Sequence, residues 1–123
     1  MVFTSYGRQD IIYLIGGSIT GGSQIPLYCG IGSGSGTAIV TDVKLYNEES
    51  RHAFTETSYP SAQKIKFTTD WNSVEMSGLN LSEFGIFKSG TALTGSLWSR
   101  SSLPNVNFQG NTELRIEETW ETG

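Results

Sequence analysis

In the C-terminal two-thirds of the chain, apolar and polar residues alternate with a period of two, the spacing of half-buried strands. Ile65 and Phe67 alternate with Lys64, Lys66 and Thr68. Ala53, Thr55 and Thr57 alternate with Phe54, Glu56 and Ser58, a weaker strand ending at Tyr59-Pro60. Leu79, Leu81, Phe84, Ile86 and Phe87 mark another strand, and Leu97-Trp98 the next. In the last one Leu114, Ile116 and Trp120 share a face opposite Glu113, Arg115, Glu117 and Thr119. Glu118 falls on the apolar face, which predicts a bulge there or burial against a partner chain.

The N-terminal part follows other patterns. Thr4 to Ile15 reads as a helix capped by Thr4 or Ser5, with an apolar face of Ile11, Ile12, Leu14 and Ile15 and a stop at Gly16-Gly17. Ser18 to Gln24 reads as a loop and Ile25 to Ile31 as the first strand. The glycines from Gly30 to Gly36 read as a strand-to-loop crossing, and Thr41 to Ser50 as a short helical turn. One helix followed by five or six strands at spacings of roughly ten residues predicts a mainly β fold. The expected architecture is an antiparallel β-sandwich or barrel with one short N-terminal helix. All 123 residues form a single domain, with the helix at 4–15 and the sandwich over 25–122.

Composition agrees with sheets and turns. Charged residues make up only 16%, while 15 glycines and 14 aromatic residues supply turns and core. A net charge of −4, with scattered basic residues, argues against direct nucleic-acid binding. The run Ile11 to Ile15 is too short to span a bilayer, so no membrane partner is expected, and no signal peptide is read.

Candidate chemistry is sparse. His52 is the one histidine, so any Ser/His/Asp or Cys/His arrangement must use it. It sits in Glu49-Ser50-Arg51-His52 with no neighbour that marks a base, and reads as a surface or edge-strand residue. The single cysteine, Cys29, rules out an internal disulfide and reads as core. The Gly30 to Gly36 spacing fits neither G-x-G-x-x-G nor a P-loop. No acid cluster resembles a metal loop, so no cofactor, metal or catalytic residue is expected. Tyr6, Tyr46, Tyr59 and Trp71 are candidate stacking surfaces for a sugar.

Two stretches resemble small virion proteins of tailed bacteriophages. One runs from Ile25-Pro-Leu-Tyr-Cys-Gly-Ile-Gly-Ser-Gly34 through Val40-Thr-Asp-Val-Lys-Leu45 to Glu48-Glu-Ser-Arg51. The other is Leu81-Ser-Glu-Phe-Gly-Ile-Phe87 with Gly90, Leu97-Trp-Ser-Arg100 and Glu113-Leu-Arg-Ile-Glu-Glu-Thr-Trp120. Thr4-Ser-Tyr-Gly-Arg-Gln-Asp10 is similar to the helix that opens such proteins. The usual leucine after "E-x-G" is here Ile86, and the acid that follows is Lys88. The resemblance implies a non-enzymatic component of the tail, neck or fibre-attachment region, present in several copies. Its partners would be other virion proteins and copies of itself, and its location the virion, after folding in the host cytoplasm. A capsid decoration protein and a carbohydrate-binding module that reads a host glycan are the alternatives.

The motif residues Glu48, Arg51, Glu83, Gly85, Phe87, Arg100 and Trp120 are the candidate structural and interface positions. Gly85 is expected at a kink or close backbone contact. Glu83 is expected to pair with Arg100 and Glu48 with Arg51; as surface pairs, each contributes well under about 1 kcal/mol.

Overall fold

In the computed structural model, which describes residues 2–15, 26–90 and 97–121, the period-two stretches form two antiparallel sheets. The elements are β1 (Val2–Phe3), α1 (Ser5–Ile15), β2 (Tyr28–Gly32), β3 (Glu48–Ala53) and β4 (Glu56–Ser61). They continue with β5 (Lys64–Trp71), α2 (Ser73–Met76), β6 (Asn80–Phe87), β7 (Leu97–Asn107) and β8 (Leu114–Glu121). One sheet has the order β1-β7-β6-β2-β3 and the other β4-β5-β8. Neither closes on itself, so the fold is a β-sandwich and not a barrel.

Alternation sets which residues enter the space between the sheets. Cys29 and Ile31 of β2, Ile86 of β6 and Trp71 of β5 meet there with Met76, Leu81 and Phe108, joined by the half-buried Leu114, Ile116 and Trp120 of β8. Glu113 and Arg115 are exposed, as the register of β8 requires. Two polar contacts tie the sheets together beside this core. Trp71 Nε1 donates to Ser50 Oγ at 3.0 Å, and His52 Nδ1 lies 3.1 Å from the Asp70 carbonyl.

Glu118 departs from expectation. The β5–β8 ladder is continuous from Leu114 to Glu121, so there is no bulge, and the side chain is buried inside its own sandwich. Burial raises its carboxyl above the usual range, against a long 3.4 Å hydrogen bond from Trp120 Nε1. Its raised value means the folded state holds this proton more tightly than the unfolded chain does. Stability from this group is therefore full below the ordinary glutamate range and falls as pH rises through the raised value. Glu118→Gln should remove that decline and stabilise the protein at pH 7 by about 1 kcal/mol. Thermal unfolding at pH 4 and pH 7 checks it; an unchanged difference between the two would sink the assignment.

Other departures have local causes. Gly30 and Gly32 lie within β2 and not in a crossing. Residues 41–47 form no helical turn, because the amides of Tyr46 and Asn47 donate to a side chain of β6 and not to carbonyls one turn back. The weak strand expected from Ala53 divides: the Phe54 amide still bonds to Leu27, while that of Thr55 already bonds to Thr68 in the other sheet. At α2, Asn72 and Glu75 form a reciprocal capping box that the sequence displays as N-x-x-E. The glycine stop at Gly16-Gly17, the loop of Ser18 to Gln24 and the side chains of Ile12, Leu14 and Ile15 lie outside the described residues.

Thr4 is the N-cap of α1. Its hydroxyl accepts from the Gly7 amide at 3.0 Å and donates to the Leu97 carbonyl at 2.5 Å, which docks the helix on β7. Gly7 faces the β7 backbone so closely that a Cβ there would lie 2.7 Å from the Trp98 carbonyl oxygen.

Candidate functional site

The other face of the five-stranded sheet carries the motif residues. Arg51, Gly30, Gly85 and Arg100 are cross-strand neighbours in one row over β3, β2, β6 and β7. The two glycines leave a hollow between two long side chains, and Leu45 fills it. A Cβ on Gly85 would stand 3.0 Å from Leu45 Cδ2, and one on Gly30 would stand 3.4 Å from Leu45 Cδ1. Leu45, Phe87 and Leu97 form a second small core here with Tyr28. The segment 33–47 thus lies over the sheet as a third layer.

Glu83 pins this layer. Its Oε1 accepts from the Tyr46 amide and Arg100 Nε, both at 2.9 Å, and its Oε2 accepts from the amides of Gly34 and Asn47, both at 2.8 Å. Burial alone would raise this carboxyl. The amides of Asn47 and Tyr46, with Arg100 and Gly34, outweigh burial and hold it below the usual range. Arg100 Nη1 donates to the Gly36 carbonyl at 3.1 Å, and the guanidinium lies 3.6 Å from the centroid of Tyr46. Asp42 completes the arrangement, accepting from the Tyr46 hydroxyl and the Ile39 amide, each at 2.9 Å.

The second pair repeats the design. Arg51 donates to both oxygens of Glu48, from Nε at 2.9 Å and from Nη2 at 2.7 Å, and from Nη1 to the Ser89 carbonyl at 2.9 Å. Its guanidinium lies 3.5 Å from the Phe87 centroid. Residues three apart on a regular strand face opposite ways; here the register shifts opposite Ile31/Gly32, and the extra residue turns Glu48 to the face of Arg51.

These pairs form between the expected partners, but not at the surface. Side chains of Glu83 and Arg100 are 0% exposed, and those of Arg51 and Glu48 are 0% and 2% exposed. Burial makes them costly to break. Trp120 belongs to the inter-sheet core instead: it stacks at 6.1 Å on Trp98 and meets Phe67 and Phe3 edge-on, each at 4.8 Å.

What the buried framework displays is an apolar turn that the sequence reading passed over. Ile39, Val40 and Val43 are 51%, 41% and 59% exposed. Tyr6 and Tyr46 are also exposed, and the Ser5 amide bonds to the Val40 carbonyl at 2.7 Å, setting α1 against the turn. Three branched apolar residues among Thr and Asp in a loop were the available signal.

The remaining candidates sit elsewhere. His52 Nε2 is 2.6 Å from Glu75, and its ring stacks on Trp71 at 5.1 Å, bracing β3 against α2 and β5. The Cys29 thiol is buried, and burial, followed by the charge of Glu118, pushes it above its usual range. Trp71 is 1% exposed and offers no face to a sugar. Among the described residues no group of three His, Cys, Asp or Glu side chains is placed to hold a metal, and no helix is long and apolar enough to cross a membrane. Compared with protein-family models, curated proteins and solved structures, the chain matches none.

Proposed function

We propose that the chain is a non-enzymatic structural component of a tailed-bacteriophage virion, assembled in several copies in the tail, neck or fibre-attachment region. The observation that carries this reading is the exposed turn of Ile39, Val40 and Val43 on a buried, ion-paired framework. Branched apolar side chains held at the surface by a rigid support suit protein–protein contact, because little side-chain or loop ordering is left for binding. Support also comes from the role of the residues that resemble the phage pattern. Glu48, Arg51, Glu83, Gly85, Phe87 and Arg100 together seat that layer.

Quantitative mass spectrometry of density-gradient-purified particles tests the reading. The chain should be present at a fixed copy number per particle, and Val43→Asp should lower its incorporation at least tenfold. A chain that stays wholly in the soluble fraction while particles form without it would remove the virion reading. A capsid decoration role would place the same chain on heads separated from tails.

A further inference from the structure

An exposed strand edge invites another strand, and most edges of this sandwich are blunted. β1 is two residues long. β3 has an extra residue opposite Ile31/Gly32, and β4 carries Pro60 within a register shift. β7, beyond its pairing with β1, contains Pro104 and a shift against β6. β8 has none of these features. It pairs with β5 without interruption from Leu114 to Glu121 and contains no proline, glycine or lysine. Among the described residues, its backbone groups on the side away from β5 form no hydrogen bond to another element. Its core-facing Leu114, Ile116 and Trp120 are only half-buried, whereas Phe67, Thr69 and Trp71 of β5 are buried. Apolar surface therefore reaches this edge.

We infer that β8 pairs antiparallel with β8 of a second copy, joining two three-stranded sheets into one of six strands about a two-fold axis. The sequence of the strand fits itself. Core-facing residues must oppose core-facing residues, so two registers bring seven residues of each strand together, one centred on Glu117 and one on Glu118. Centred on Glu117, the outer face sets Glu117 against its own copy, and the core face sets Ile116 against Glu118. Centred on Glu118, the outer face sets Arg115 against Glu121 twice, and the core face sets Ile116 against Trp120 twice. Like charges directly opposite destabilise a ladder, while opposite charges and branched–aromatic pairs support it. Only the second register is complementary.

The side chains are available for it. Arg115 is 62% exposed; its Nε donates to Asp70 Oδ1 at 2.7 Å, and its Nη1 has no partner among the described residues. It can keep Asp70 and still reach Glu121 of the second copy. Glu121 is exposed, lies across from Lys64 and has no ion pair among the described residues. Glu118 is the exception, since on the axis it faces its own copy. An inward acid on an edge strand opposes pairing, and two facing carboxyls ionise together only at a cost. Glu118 thus acts as a brake on an otherwise self-complementary edge. This rests on the assembly reading above and names the surface through which copies meet.

Sedimentation velocity over a range of concentrations tests it on the unmodified chain, on R115E, E121R and E118Q, and on an equimolar mixture of the first two variants. The unmodified chain should form a dimer. R115E and E121R should each weaken it about tenfold, because two attractive pairs become repulsive. Their mixture should recover the dimer, since each variant then meets opposite charge at both positions of the other. E118Q should tighten the dimer by releasing the brake. Arg115 and Glu121 are both exposed, and thermal unfolding of each variant confirms an intact fold. A mixture no stronger than the single variants would overturn the pairing of Arg115 with Glu121. Tighter association by E121R alone would place Glu121 against Glu113 and overturn the Glu118-centred register. An unmodified chain that is monomeric at all concentrations overturns self-pairing, whereas the virion reading fails only if purified particles lack the chain.

Discussion

Glu83→Gln should destabilise the protein by about 3–5 kcal/mol, the loss typical of removing one member of a buried ion pair. The size follows from what remains. Arg100 is 0% exposed and would keep its charge with no carboxylate on its Nε, above the ring of Tyr46. Four donors converge on the two oxygens of Glu83. Glutamine supplies one oxygen, and its own N–H groups would face amides that need acceptors. The amides of Gly34, Tyr46 and Asn47 should then exchange hydrogen faster in the variant, since their shared anchor is gone. Urea unfolding gives the magnitude; a loss under about 1 kcal/mol would mean that the pair does not hold the layer in place.

The pH dependence has a definite sign. Because Glu83 is held below the usual carboxylate range in the fold, its contribution is complete above the unfolded glutamate pKa. It is lost as pH falls through the depressed value. Glu83 and Glu118 therefore act in opposite directions, one weakening the protein as pH falls and the other as pH rises through its raised value. In Glu83→Gln the acid-side loss of stability should be shallower than in the unmodified chain.

Gly85→Ala is the second large effect expected, about 2–3 kcal/mol, through overpacking. The added Cβ would stand 2.6 Å from Leu97 Cδ1, 2.9 Å from the Ser99 carbonyl oxygen and 3.0 Å from Leu45 Cδ2. Ser99 is backbone within the β6–β7 ladder and cannot retreat without disturbing that pairing. Leu97 and Leu45 are buried in the small core. Leu45→Ala alone should cost about 2–5 kcal/mol as a large-to-small change in a packed site. The two together should cost less than their sum, because the alanine methyl enters part of the space that Leu45 leaves. Strict additivity in a double-mutant cycle would show that Leu45 does not sit over Gly85.

The sequence was most readable where burial is one-sided. β5 and β8 face the inter-sheet core on one side only, so Ile65, Phe67, Leu114 and Ile116 alternate with charged residues and reveal both strands. The central strand β2 was harder. It is covered on both faces, and on the outer one two of its three positions, Gly30 and Gly32, are glycines, which carry no hydrophobic signal and imitate a loop. Glu83 and Arg100 were legible as a pair but not as a buried one. Their burial depends on the 33–47 layer, which is held by backbone amides of Gly34, Tyr46 and Asn47 that no side-chain pattern records. Glu118 sat visibly on the apolar face, yet only the packed sandwich shows that its own chain encloses it.

The docking of α1 on β7 also constrains how the chain folds as it is made. Thr4 bonds to Leu97 and Trp98, contacts that span 93 and 94 residues. Because synthesis proceeds from the N-terminus, those partners leave the ribosome long after the helix does. An eleven-residue helix is marginal on its own. Until β7 has been made this segment must wait without its seat, and β1 must wait with it. Closure of the N-terminus onto β7 is then a late, non-local event, and the nascent chain is most open to chaperones and to premature association before it occurs.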